Sequence, residues 1–158
     1  MDQVEFGVLG PLVVRDGDSL FSVGGRKQRT LLALLIAAGG DPVSTDSLLM
    51  GVYGPDVQPS TRRSLQTYVS IVRRELGGVV RREGDGYVLA VDREAIDAVR
   101  FEKVLAAART MVDEKTRRDL LEEGLGLWRG AAYADVELND QLRAEAQRLE
   151  ELRAEAFE

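Results

Sequence analysis

Between Ser60 and Leu76 the chain reads Ser-Thr-Arg-Arg-Ser-Leu-Gln-Thr-Tyr-Val-Ser-Ile-Val-Arg-Arg-Glu-Leu. Hydrogen-bonding side chains recur there at helical spacing: Arg63, Gln66, Thr67, Ser70 and Arg74, with Arg62 and Arg73 on the flank. The chemistry such a set can do is recognition. Guanidinium forks match phosphate oxygens, and Gln, Ser and Thr reach the hydrogen-bonding edges of base pairs. Carried on one side of a helix, these residues suit a DNA major groove, with the arginines on phosphates. The plainer alternative is an amphipathic helix with a solvated basic face.

Two further cationic groups stand outside this stretch. Arg81 and Arg82 follow it closely, and Arg26, Lys27 and Arg29 precede it. The three cations at 26–29 lie just before an apolar run, at what would be a helix N-terminus. Cations oppose the macrodipole there, an arrangement that a bound phosphate would relieve. Solvation of the three is the alternative. The surrounding glycines do not make a P-loop, because no Gly-Lys-Ser/Thr closes the pattern.

Catalytic and metal chemistry find little material. The 158 residues contain no cysteine and no histidine. That removes the usual zinc ligands, the Ser-His-Asp and Cys-His nucleophile systems and the commonest general base. Only carboxylates and lysines remain, and no pair stands at a telling spacing. No enzyme activity, metal or cofactor is expected.

The elements that must position the reading face come from periodicity. Leu65, Tyr68, Val69, Val72 and Leu76 fall on the side opposite the arginines, so one helical face is core. Upstream, Thr30 to Ala38 is apolar nearly all round and reads as a buried helix. Gly39-Gly40-Asp41-Pro42 ends it. Ser44 is a candidate N-cap for a second helix with Asp46 in its first turn, and Leu48, Leu49, Val52 and Tyr53 as its apolar side. Gly54-Pro55 stops that helix, and Asp56 to Pro59 leads into the third, which Ser60 or Thr61 can cap. Two helices, a short turn and a third with a polar-basic face make a helix-turn-helix. Val79 to Glu83, the turn Gly84-Asp85-Gly86 and Tyr87 to Val91 read as a hairpin in the position of a wing, carrying Arg81 and Arg82. At the N-terminus, Val4 to Leu9, Leu12 to Arg15 and Leu20 to Val23 read as three short antiparallel strands, with a turn at Asp16-Gly17-Asp18.

From Asp92 onward no strand signal returns. Three amphipathic helices are expected: one around Phe101 to Met111, one from Leu120 to Trp128, and one from Leu142 to Ala156, with breaks near Val112-Asp113 and from Gly130 to Leu138. Gly124 and Gly126 inside the second cost about 1 kcal/mol each relative to Ala, so packing must hold it.

Charge divides along the same line. Residues 60–82 hold six arginines against Glu75 alone, whereas residues 93–158 hold eleven Lys and Arg against sixteen Asp and Glu. The net charge of −6 argues against indiscriminate DNA binding, but the local field around the third helix is positive. With 44% apolar and 30% charged residues, the chain has the composition of a soluble folded protein. It has no apolar run of membrane-spanning length and no signal-peptide pattern, so no membrane role is expected and a cytoplasmic location is.

Taken in order, the motifs resemble the Streptomyces antibiotic regulatory protein (SARP) family of bacterial transcriptional activators. The matching residues are Phe6-Gly7-Val8-Leu9-Gly10-Pro11-Leu12, Gly25-Arg26-Lys27-Gln28-Arg29, Leu65-Gln66, Tyr68-Val69-Ser70, Arg73-Arg74 and Leu76-Gly77. They continue with Gly86-Tyr87-Val88-Leu89, Asp97, Arg100-Phe101, Leu127-Trp128-Arg129-Gly130 and Arg148-Leu149-Glu150-Glu151-Leu152-Arg153. The resemblance implies an α+β N-terminal winged helix-turn-helix of OmpR type over residues 1–92. An all-α, TPR-like segment over 93–158 would follow it, the first three helices of a bacterial transcriptional activation domain. It implies double-stranded DNA and RNA polymerase holoenzyme as partners, the third helix in the major groove of direct repeats, and no nucleotide or metal for DNA binding. A homodimer, side by side on DNA or through the C-terminal helices, is the candidate assembly. Three departures stand out. Ile71 is apolar beside the reading face, and Tyr53 replaces a usual tryptophan. Family members also continue past the position of Phe157, so the apolar side at Leu142, Leu149, Leu152 and Phe157 is expected to lack later partners. The competing function is a protein-interaction adaptor whose winged helix no longer binds DNA.

Overall fold

A computed structural model describes residues 4–21, 23–55 and 58–158. Ser22 of the expected third strand, and Asp56 and Val57 of the expected connection, lie outside the described residues. Among the described residues the chain is mixed α and β, with six α-helices and two three-stranded sheets.

Strands β1 (Val4–Gly7), β2 (Val13–Asp16) and β3 (Ser19–Phe21) form the first sheet, antiparallel in that order, with Phe6 opposite Val14. Gly17 turns the β2–β3 hairpin at φ +62°, a left-handed value that glycine adopts without steric cost. The first strand stops at Gly7, two residues short of the expected Leu9. The reason is competition for backbone groups. Val8 and Leu9 donate their N–H groups to Asp97 (2.9 and 3.1 Å), and their carbonyls accept from the N–H groups of Tyr133 and Arg129 (2.8 and 2.7 Å).

Helix α1 (Arg26–Ala37) starts four residues before the apolar run and buries every residue from Thr30 to Ile36. A two-residue strand, β4 (Val43–Ser44), then leads into α2 (Thr45–Tyr53). Ser44 caps α2 as expected, its hydroxyl accepting the Ser47 N–H at 3.1 Å. Helix α3 (Pro59–Leu76) begins earlier than expected. Gln58 is its N-cap, Pro59 takes the first helical position, and the Thr61 hydroxyl accepts the Gln58 N–H (3.1 Å). Proline suits that position because its missing N–H would have no helical partner there. Strands β5 (Val80–Glu83) and β6 (Gly86–Leu89) form the hairpin, and β4 pairs with β6 to complete the second sheet.

Helices α4 (Asp97–Arg109), α5 (Glu114–Leu125) and α6 (Asp140–Ala156) follow. Helix α5 ends at Leu125 rather than Trp128; Trp128 packs edge-on against Phe101 at 5.4 Å between ring centroids. Gly124 has a packing role: a Cβ there would lie 3.3 Å from the Phe101 ring, so α5 approaches α4 closely at this point. The apolar side of α6 is not left uncovered as expected. Leu142 and Leu149 are fully buried and Leu152 partly so, leaving Phe157 exposed. One hydrophobic core runs through both ends of the chain, from Val4 and Phe6 to Leu149 and Ala156. No helix among the described residues is long and apolar enough to cross a membrane.

Candidate nucleic-acid interface

Helix α3 has 18 residues and buries Leu65, Val69, Val72 and Leu76. Burying side chains of this size contributes about 1.5–3 kcal/mol each, which fixes the helix's rotation about its axis. The opposite side is thereby committed to solvent. Arg62, Arg63, Gln66, Thr67, Ser70, Arg73 and Arg74 are all exposed. Ile71 and Tyr68 are half-buried, and Tyr68 stacks on Tyr53 at 6.4 Å. Gly77, at φ +72°, ends the helix.

The face is not uniformly free. Arg62 pairs with Asp46 of α2 at 2.6 Å. The Thr67 hydroxyl donates to the Arg63 carbonyl (3.2 Å), so its proton is spent within the helix. Among the described residues, Arg63, Arg73 and Arg74 have no ion-pair partner. The acidic C-terminal helices therefore do not cover this surface.

The hairpin extends the same cationic region. Arg81 and Arg82 are exposed on β5; the Arg81 Nε donates to the Gly78 carbonyl (3.0 Å), and Arg82 lies 5.8 Å from the centroid of the Tyr87 ring. The hairpin turn is tied to the start of α2, where the Thr45 N–H donates to the Asp85 carbonyl (3.0 Å). Gly86 is required where β4 crosses, since a Cβ would collide with the Val43 carbonyl. Thr45, Asp46, Arg62, Gln66, Arg82 and Asp85 line a cleft of about 260 Å³ between α2, α3 and the hairpin.

The cations at the start of α1 stand near the C-terminal end of α2. Arg26 pairs with Glu137 (3.1 Å). Arg29 pairs with the Asp135 carboxylate and donates to its carbonyl (2.7 Å). Lys27 donates to the Val52 carbonyl (3.4 Å) and sits 4.7 Å from the Tyr53 ring centroid, at the C-terminal end of α2. The hairpin attaches at the other end of α2, nine residues and about 13 Å away. The chain's own acids thus supply counter-charge to Arg26 and Arg29, while Lys27 lies over Tyr53, whose ring stacks on Tyr68 of α3.

Sequence reasoning missed two participants. Asp46 was legible only as a helix-start acid, and β4 is too short to leave a pattern. Among the described residues no cluster of acids is arranged to hold a metal ion.

Residues 96–158 match the family model of the bacterial transcriptional activator domain. The chain is 31% identical over 166 residues to the transcriptional regulator RedD of Streptomyces coelicolor, spanning 98% of this chain and 47% of that protein. It is 32% identical to the regulatory protein DnrI of Streptomyces peucetius, over 98% of this chain and 62% of that one. Among solved structures, Mycobacterium tuberculosis EmbR in complex with a low-affinity phosphopeptide superposes with a TM-score of 0.85 at 26% identity, covering 99% of this chain and 44% of that one. The chain spans less than two thirds of each of these proteins.

Proposed function

We propose that the chain is a sequence-specific DNA-binding activator of the Streptomyces antibiotic regulatory protein type, a reading supported by its similarity to RedD and DnrI over 98% of its length and by the activator-domain match at residues 96–158. Residues 1–92 act as an OmpR-type winged helix-turn-helix, and residues 93–158 as the first helices of a transcriptional activation domain with TPR-like pairing. The protein reads direct repeats in a promoter, side by side with a second copy, and helps recruit RNA polymerase. The observation that carries this reading is the outward polar-arginine face of α3, continued by Arg81 and Arg82 and uncovered by the acidic half of the chain.

Arg62, Arg63, Arg73, Arg74, Arg81 and Arg82 hold phosphates, while Gln66, Thr67 and Ser70 face base edges. Gln is suited to adenine through a bidentate contact. Thr67, with its proton turned back to Arg63, offers a methyl group and an acceptor, which suits a thymine methyl or a base amino group. Six neutralised phosphates give a slope of log affinity against log salt near −5, at about −0.9 per contact. Fluorescence anisotropy on the upstream region of the neighbouring operon, run at several salt concentrations, measures it. Arg63→Ala and Arg74→Ala should each reduce the slope by about 1. Unchanged binding in both variants overturns the assignment of the α3 face.

A further inference from the structure

We propose that the cleft between the first sheet and the C-terminal helices binds a small phosphate monoester with an apolar body. The cleft has a volume of about 280 Å³ and is lined by residues from β1, β2, β3, α4 and the loop after α5. It lies just below the roughly 300–1,000 Å³ typical of ligand sites, which suits a small molecule rather than a peptide. Val13, Leu20 and Leu127 give it apolar surface.

Its charge comes from Arg15, Arg100 and Arg129. Eight other arginines of the chain stand in ion pairs, but among the described residues none of these three does. Two carboxylates also line the cleft. Glu5 is opposite Arg15 in the β1–β2 register yet forms no ion pair with it, and Asp97 uses both oxygens on the Val8 and Leu9 N–H groups. Two of the guanidinium groups are already oriented. Arg100 Nη1 donates to the Glu94 carbonyl (2.7 Å), and Arg129 Nη2 to the Pro11 carbonyl (2.8 Å). Each keeps further donors unclaimed, so little ordering remains to be done on binding. Gly7 leaves room for this arrangement, since a Cβ there would lie 2.8 Å from Arg129 Nη2. A phosphate monoester offers several charged oxygens to guanidinium donors of this kind. No lining residue belongs to α3 or the β5–β6 hairpin, so this site is separate from the proposed DNA surface and does not rest on it. A bound molecule would bridge the first sheet to the C-terminal helices.

The sole tryptophan provides the readout, because Trp128 stands between the lining residues Leu127 and Arg129. Titration of the full chain with phenyl phosphate, followed by Trp128 fluorescence, should give a saturable change at submillimolar concentration. Inorganic phosphate should bind at least tenfold more weakly, and benzyl alcohol should produce no change. Arg15→Ala and Arg100→Ala should each weaken phenyl phosphate binding at least tenfold without lowering the melting temperature. Arg15 makes no side-chain hydrogen bond among the described residues, so that variant tests the site even if Arg100→Ala disturbs folding. Absence of a saturable change, or equal affinity in wild type and Arg15→Ala, overturns the proposal. Inorganic phosphate binding as tightly as phenyl phosphate overturns the apolar half of it. Arg63→Ala should leave the titration unchanged, which separates failure here from failure of the DNA reading.

Discussion

Arg62 reaches Asp46 across 2.6 Å, and their side chains are 57% and 81% exposed. A pair so open to solvent contributes little to stability. Its effect is on the charge that α3 presents: a carboxylate stands beside the guanidinium nearest the start of the helix. If α3 binds DNA as proposed, Asp46 would limit indiscriminate attraction to it and leave a larger share of the affinity to base contacts. The Asp46→Asn variant should bind non-specific DNA more tightly, with a salt slope steeper by about 1, and should discriminate less between operator and random sequence. Competition anisotropy with unlabelled random duplex measures the ratio; an unchanged ratio and slope would mean that Arg62 is already free to reach phosphate. The arginines were legible in the sequence because residue type and spacing alone define a helical face. The ion pair was not, since it joins positions sixteen apart on different helices.

The helices and hairpins were largely legible, and the departures share a cause. Where a segment's backbone groups are claimed by distant partners, local pattern cannot show it. Strand β1 ends early because Asp97, Arg129 and Tyr133 take the groups of Val8 and Leu9. Helix α1 begins at Arg26 because the helical stretch extends beyond the buried run into residues anchored by Glu137 and Asp135. Gly124 is a related case: sequence reads it as a weakness in α5, whereas the structure makes it the point where α5 meets Phe101 and Val104 of α4. Gly124→Leu should therefore push the two helices apart and destabilise the protein by about 1–3 kcal/mol, the usual cost of overpacking, despite the gain in helix propensity. Urea denaturation measures this. A variant as stable as wild type would show that the α4–α5 contact relaxes freely.

Across the whole molecule, one buried carboxylate is among the groups that join the N-terminal sheet to the C-terminal helices. Asp97 is 4% exposed, and it begins α4 while accepting the N–H groups of Val8 and Leu9 beside β1. Around it, Tyr133 is held at φ +54°, a costly backbone for a bulky residue, so that its N–H can reach the Val8 carbonyl. Burial raises the Asp97 pKa above the ordinary carboxylate value. The Val8 and Leu9 N–H groups and the Arg129 charge pull it down without cancelling that rise. The native state then keeps a proton that the unfolded chain has lost, so this residue's contribution favours folding at low pH. The contribution declines as pH rises from about 4, the unfolded value, through the raised native value, and is constant above it. Asp97→Asn removes that titration. Its carbonyl can serve one backbone N–H well but its amide cannot accept from the other, which costs about 1–3 kcal/mol for the donor left unpaired. The stability advantage of wild type over Asp97→Asn should therefore be largest near pH 4 and shrink towards neutrality, while other carboxylates cancel in the difference. Urea titrations of both proteins at a series of pH values measure it, and an advantage that grows with pH would mean that the ionised form is the one this junction favours.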